Sequence, residues 1–145
     1  MTKRLTGIIS AILVLCLFIV PLSPVSATEG VTPRYNNVSM ATASIGINDS
    51  GKLSIAYNYS GDPSVTTKAV ITTYIEKKFL GLFWKRVDIG KTDNQWVDTI
   101  NDYRYAGSRT YQLSSSGTYR VTIIYKVYGS GGAADEIEIK KTDSY

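Results

Sequence analysis

Carboxylates are the side chains of this sequence that could do acid–base chemistry. They are spread along its second half, at Asp88, Asp93, Asp98, Asp102, Glu136 and Glu138. A pair of carboxylates could hydrolyse a glycosidic bond, and a cluster could bind calcium. Neither use has a supporting motif here, so we interpret these carboxylates as solvated surface charges.

Other catalytic side chains are scarce. The sequence contains no histidine, and its single cysteine, Cys16, lies in an apolar run near the start. The usual general base, thiol nucleophile and zinc ligands are therefore missing from the rest of the chain. No serine stands in a Gly-x-Ser-x-Gly elbow either. We expect a protein that is not an enzyme and that uses no metal or cofactor.

The sharpest local feature is an apolar stretch flanked by cations. Its residues are Lys77, Lys78, Phe79, Leu80, Gly81, Leu82, Phe83, Trp84, Lys85 and Arg86. If this stretch is an exposed hairpin tip, its aromatic side chains suit the region below lipid headgroups and its cations suit anionic phosphates. The same residue types also suit a protein partner, because aromatic side chains and arginine anchor many interfaces.

The opposite orientation of this stretch is the one we favour from sequence alone. A β-sandwich usually places a large aromatic side chain in its core, and Trp84 could supply it. In that case Phe79, Leu82 and Trp84 would point inward and cap one end of the fold. The flanking cations would then be ordinary solvated charges.

Tyrosines with arginines form a second candidate binding surface. The group comprises Tyr103, Arg104, Tyr105, Arg109 and Tyr111. Such residues make good recognition surfaces and can stack on sugars. Tyrosine is also a common strand residue on half-buried faces, and we favour that role for this group.

The strand that must organise these residues is 117–128, the longest β-type run. Tyr119, Val121, Ile123, Tyr125 and Val127 alternate onto one face, which predicts a central strand with one face in the core. Further runs predict a hairpin over 40–59, strands at 67–77, 83–89, 95–100, 109–113 and 136–140, and irregular chain over 101–108. No helical periodicity occurs after the first residues. About seven strands predict an all-β, antiparallel two-sheet β-sandwich.

The first residues are typical of an export signal. Lys3 and Arg4 precede an apolar run, and Val25-Ser26-Ala27 is a small-residue cleavage site. We expect cleavage after Ala27, a secreted protein, and no remaining transmembrane span. The predicted organisation is a signal peptide over 1–27, a flexible lead-in over 28–38 and a β-sandwich domain over 39–145.

The charge of the chain is mild. Loss of Lys3 and Arg4 lowers the formal net charge from +4 to +2. A nucleic-acid partner would require a clustered basic stripe, so we expect none. An unknown protein, glycan or lipid surface stays open as the partner.

The start of the central run resembles the sixth strand of immunoglobulin-like domains. Gly117-Thr118-Tyr119 matches the step that carries a tyrosine corner in that family, whose hydroxyl bonds backbone a few residues upstream. The resemblance implies that Gly117 and Tyr119 form a structural corner. It also places Val121 where the family has a cysteine.

The order of features also resembles an uncharacterised family, a domain of unknown function found in small secreted proteins of Gram-positive bacteria. The shared features are the signal peptide, Pro33-Arg34-Tyr35, the Lys77-Lys78 hairpin with a tryptophan, Gly117-Thr118-Tyr119-Arg120, and Ser144-Tyr145. That family has no assigned activity, so the resemblance implies none.

Together these patterns predict a small secreted, non-catalytic β-sandwich that acts as a binding module at the cell envelope or outside the cell. The alternative is a membrane-active protein that inserts the Phe79–Trp84 tip into anionic lipid.

Overall fold

The computed structural model describes residues 35–145. The predicted signal peptide, 1–27, and residues 28–34 of the predicted lead-in lie outside the described residues. The described part contains eight strands, against about seven predicted. They are β1 (Met40–Ile47), β2 (Lys52–Ser60), β3 (Thr66–Phe79), β4 (Phe83–Arg86), β5 (Trp96–Ile100), β6 (Arg104–Gln112), β7 (Thr118–Gly129) and β8 (Asp135–Ser144). A short 3₁₀ turn covers Thr92–Asn94.

The strands form two antiparallel sheets. One has the order β1-β2-β6, and the other has the order β4-β3-β7-β8 with β5 paired to β3. The antiparallel two-sheet β-sandwich predicted from the sequence is confirmed. No helix within residues 35–145 is long and apolar enough to cross a membrane.

Period-two alternation places the core between the sheets. The β7 face formed by Tyr119, Val121, Ile123, Tyr125 and Val127 is buried, as its alternation predicts. Leu53, Ile55, Tyr57 and Tyr59 of β2 face it from the other sheet. Because four of these side chains are tyrosines, tyrosine supplies the large aromatic groups of the core.

The prediction of irregular chain over 101–108 is correct for 101–103 but wrong from Arg104 onward, where β6 begins. β6 pairs with the whole of β2, and Gly107 lies opposite Tyr57. A glycine in a strand can mark close packing as well as a turn. A Cβ on Gly107 would lie 2.6 Å from Cε1 of Tyr105 and 3.0 Å from Cε2 of Tyr57. Gly107 therefore makes room for two tyrosine rings.

This packing predicts that Gly107→Ala destabilises the fold. Steric displacement of the rings should lower the free energy of unfolding by about 1–3 kcal/mol, measured by urea denaturation. Gly46→Ala is the matched control, since nothing lies within 4 Å of a Cβ at that strand position. Equal stability of the two variants would contradict the packing role.

The predicted fourth strand, 83–89, is shorter in the structure. β4 pairs with β3 only over Glu76–Phe79, and β5 pairs with the same edge of β3 over Ala69–Thr73. Because β5 occupies the rest of that edge, β4 cannot continue along it. The last backbone hydrogen bond from this segment to β3 is donated by the Val87 amide to the Ile75 carbonyl at 2.9 Å.

The end of the predicted flexible lead-in is anchored. Asp135 accepts hydrogen bonds from the backbone amides of Asn36 (3.1 Å), Asn37 (2.6 Å) and Val38 (3.1 Å). Asn37 and Val38 are buried. The sequence predicts flexibility here, whereas the structure ties these residues to the start of β8, nearly a hundred positions away along the chain.

Tyr119 lies at the start of β7, next to the corner that leads into the strand. Its hydroxyl donates to the Ser115 carbonyl at 2.5 Å, four residues upstream, which is the contact that the resemblance implies. Gly117 has φ 144°, a conformation that side chains rarely adopt. The Tyr145 ring stacks on the Tyr119 ring with 6.2 Å between centroids, so this corner is covered.

Candidate functional site

The β3–β4 hairpin ends in an exposed apolar tip. The tip comprises Phe79, Leu80, Leu82 and Phe83, whose exposed fractions are 48%, 75%, 81% and 51%. Together they are four of the seven exposed large apolar side chains in residues 35–145. A single exposed apolar residue is ordinary, but a contiguous group of them indicates an interaction site.

The inward orientation that we favour from sequence is therefore wrong for the tip. Trp84 lies opposite Lys78 on the outer face of the sheet and is half-buried. The Arg120 guanidinium stacks over its ring at 4.3 Å. Core tyrosines already supply the large aromatic side chains that the sandwich needs, so Trp84 is not required inside.

The turn at the tip has an unusual conformation for its residue type. Leu80 and Gly81 both have positive φ, at 50° and 70°, and the Leu82 amide donates to the Phe79 carbonyl at 3.0 Å. Hairpin turns with two positive φ values usually carry Asn, Asp or Gly there. A leucine in this region costs roughly 1–2 kcal/mol. An exposed, strained apolar side chain at a loop tip suggests a role outside folding.

This strain predicts that Leu80→Asn stabilises the fold. Asparagine enters the left-handed region more readily than leucine, so the free energy of unfolding should rise by about 0.5–1 kcal/mol. Leu82→Asn is the control, because Leu82 has no positive φ and should gain nothing. Urea denaturation measures both, and a loss of stability in Leu80→Asn would refute the conformational argument.

Four cations surround the tip, two on each strand. Lys78 lies over the Trp84 ring at 5.8 Å, and the Arg86 guanidinium lies over the Tyr74 ring at 3.4 Å. The three ion pairs within residues 35–145 are Arg109–Asp98, Arg120–Glu76 and Lys140–Glu138. In this part of the chain, Lys77, Lys78, Lys85 and Arg86 therefore have no carboxylate partner, and the tip is locally positive.

The second candidate surface is mostly half-buried, and only Arg104 is exposed. Tyr105 and Tyr111 pack against the core, and Arg109 pairs with Asp98 while its guanidinium lies 5.4 Å from the Trp96 ring centroid. The Tyr57 hydroxyl also donates to Asp98, at 2.8 Å. The pKa of the Tyr57 hydroxyl is raised to about 12, mainly by burial and secondly by this hydrogen bond. This cluster joins the open edges of the two sheets, so its residues act mainly in packing.

The candidate carboxylates do not assemble into a site. Asp98 is engaged by Arg109 and Tyr57, Asp88 accepts from the Gly90 amide at 2.9 Å, and Glu138 pairs with Lys140 at 2.8 Å. No group of three or more metal-binding side chains occurs in the portion that the structure describes. Asp135 is the carboxylate that sequence reasoning missed, since its partners are distant backbone amides that no pattern marks.

No family model matches the sequence, and no curated protein matches it. The crystal structure of a protein described as ApaA from Bordetella pertussis is similar at 16% sequence identity and a TM-score of 0.33. The match covers 75% of this chain and 95% of that chain. At this TM-score the likeness carries no argument about fold or function.

Proposed function

We propose that this chain is a small secreted, non-catalytic β-sandwich that docks its apolar tip onto an anionic lipid surface at the cell envelope. The observation that carries the proposal is the β3–β4 tip itself. Its four exposed apolar side chains are flanked by cations without carboxylate partners in the described residues. If the protein does not bind lipid vesicles, the tip would instead be expected to bind a protein partner.

Two energy terms favour a lipid surface. Complete burial of one large apolar side chain gives roughly 1.5–3 kcal/mol, so inserting the exposed parts of the tip is worth on the order of 5 kcal/mol. Each cation near an anionic leaflet adds about 1 kcal/mol. Because the two terms are similar in size, binding should require both the apolar tip and negative lipid charge.

The proposal also includes secretion of the protein and an immunoglobulin-like topology of its β-sandwich. Lys3, Arg4 and the site at Val25-Ser26-Ala27 support secretion with cleavage after Ala27. An immunoglobulin-like topology is supported by the strand order. That family places strands A, B, E and D in one sheet and C, F and G in the other. β1, β2 and β6 are the counterparts of A, B and E, and β3, β7 and β8 are those of C, F and G, whereas within residues 35–145 the first sheet of this chain has no counterpart of D.

The test of this function is co-sedimentation of the purified exported protein with vesicles. We expect binding to vesicles that contain phosphatidylglycerol, and binding at least tenfold weaker to vesicles of phosphatidylcholine alone. Raising the ionic strength from about 0.1 M to about 1 M shortens the Debye length from ~10 Å to ~3 Å and should release the protein. Absence of binding to both lipids would overturn the proposal, and salt-independent binding to both would overturn its electrostatic part.

A further inference from the structure

Two lysines face each other across the base of the tip. Lys77 of β3 and Lys85 of β4 are direct cross-strand partners, so their Cβ atoms lie about 4.5–5.5 Å apart. Like charges placed directly opposite each other destabilise a sheet. An anion between the two ammonium groups would convert this repulsion into attraction.

Lys77 is held in place by the body of the sandwich. Its Nζ donates to the Ser115 hydroxyl at 2.7 Å and lies 5.4 Å from the Tyr119 ring centroid. Its stem crosses Gly117, where a Cβ would lie 2.8 Å from the lysine Cε. An ammonium group has three donors, so two remain for a ligand. Lys77 is a preorganised cation.

Lys85 supplies the second charge without such restraint. It is exposed, and the ion pairs of residues 35–145 do not include it. A free ammonium next to a fixed one can close on a bound anion. Phosphate is an anion that suits paired lysines, because its several acceptor oxygens share the negative charge and can each accept from an ammonium group.

An apolar groove lies beside the two lysines. It has a volume of about 160 Å³ and is lined by Lys77, Phe79, Lys85, Arg86 and Val87. This volume corresponds to roughly five water molecules at ~30 Å³ each. The groove is therefore smaller than a drug-sized pocket, whose volume is at least ~300 Å³. A phosphate with a few attached carbons fits this size. Arg86 also lines the groove, but its guanidinium lies over the Tyr74 ring, on the face of the sheet opposite the two lysines.

We infer that Lys77 and Lys85 bind the phosphate of a single lipid headgroup, with the adjoining glycerol carbons in the groove beside Phe79 and Val87. This inference rests on the proposed function, because it names the headgroup that the docked tip would engage. Free inorganic phosphate shares the charged chemistry but lacks the carbons. The apolar walls therefore favour the lipid.

The test uses soluble short-chain lipid, so that no bilayer is needed. The purified exported protein is titrated with monomeric dihexanoyl phosphatidylglycerol, and in parallel with inorganic phosphate, while backbone amide NMR shifts of Lys85 and Val87 are followed. We expect saturable binding of the lipid and at least fivefold weaker binding of inorganic phosphate. Lys85→Gln should weaken lipid binding about fivefold, whereas Lys85→Arg should retain it.

Lys126→Gln is the matched control for charge. Lys126 is exposed and lies near the far end of β7, paired with Val70 and Glu136. This variant should bind the short-chain lipid within twofold of the wild type. Equal loss in both glutamine variants would overturn the site in favour of general electrostatics, and equal affinity for inorganic phosphate would overturn the lipid assignment.

Vesicle co-sedimentation separates the two proposals. If the vesicles bind but no saturable binding of the short-chain lipid occurs, the phosphate site is refuted and the docking function stands. If neither the vesicles nor the short-chain lipid binds, the docking function and the phosphate site are both refuted.

Discussion

Replacing Leu82 and Phe83 by aspartate should weaken binding to phosphatidylglycerol vesicles by at least about 100-fold. The double variant removes two of the four exposed apolar side chains of the tip and adds two negative charges beside an anionic surface. Both changes act against insertion. Both side chains are at least half exposed, so the fold should keep its far-UV circular dichroism and its unfolding midpoint.

The matched control places the same charges elsewhere. Met40 and Val97 are also large, apolar and about half exposed, but they lie outside the hairpin. Met40→Asp, Val97→Asp carries the same charge as the tip variant and should keep most of the vesicle binding. Equal loss of binding in both double variants would show that net charge, and not the tip, determines attachment.

Asp135→Asn should produce the largest loss of stability of any single substitution considered for this chain. The Asp135 carboxylate is buried and accepts hydrogen bonds from three backbone amides, those of Asn36, Asn37 and Val38. Hydrogen bonds to a charged group contribute roughly 1.5–3 kcal/mol each. Asn37 and Val38 donate to one carboxylate oxygen and Asn36 to the other. An amide is uncharged and has only one acceptor atom, so its NH₂ group would face at least one of these donors.

We expect this variant to lose about 3–5 kcal/mol of unfolding free energy, measured by urea denaturation with linear extrapolation. That loss is a large part of the 5–15 kcal/mol typical of a domain. Glu136→Gln, at the next and exposed position, is the control and should change stability by less than about 0.5 kcal/mol. A small effect at Asp135 would mean that the anchored residues 36–38 add little to the fold.

The strands with clear alternation could be predicted from the sequence. β7 carries apolar side chains at five alternate positions from 119 to 127, while Ile124 and Tyr128 interrupt the polar face, so its core face and the two-sheet architecture follow from residue types alone. β6 could not be predicted in the same way. Gly107 has the composition of a turn residue, and only the position of the Tyr57 and Tyr105 rings shows that it packs closely.

The candidate site was identified in sequence, but its orientation was not. Phe79, Leu82 and Trp84 suit a core cap and an exposed tip equally well by residue type. What separates the two is how far the hairpin extends beyond the part of β3 that pairs with β5, and this depends on pairing across the sheet. Asp135 was invisible for a related reason, since its partners lie nearly a hundred positions earlier in the chain.

The most direct test of docking is the membrane depth of the tip, measured by electron paramagnetic resonance of a nitroxide on Leu82→Cys. Cys16 is the chain's single cysteine and lies in the predicted signal peptide, so the label on the exported protein would be unique. Ser130→Cys, exposed beyond the far end of β7, is the control. On phosphatidylglycerol vesicles we expect the label at 82 to lie below the headgroups and the label at 130 to stay in water. A label at 82 that stays fully accessible to aqueous quencher while the protein is vesicle-bound would contradict insertion of the tip.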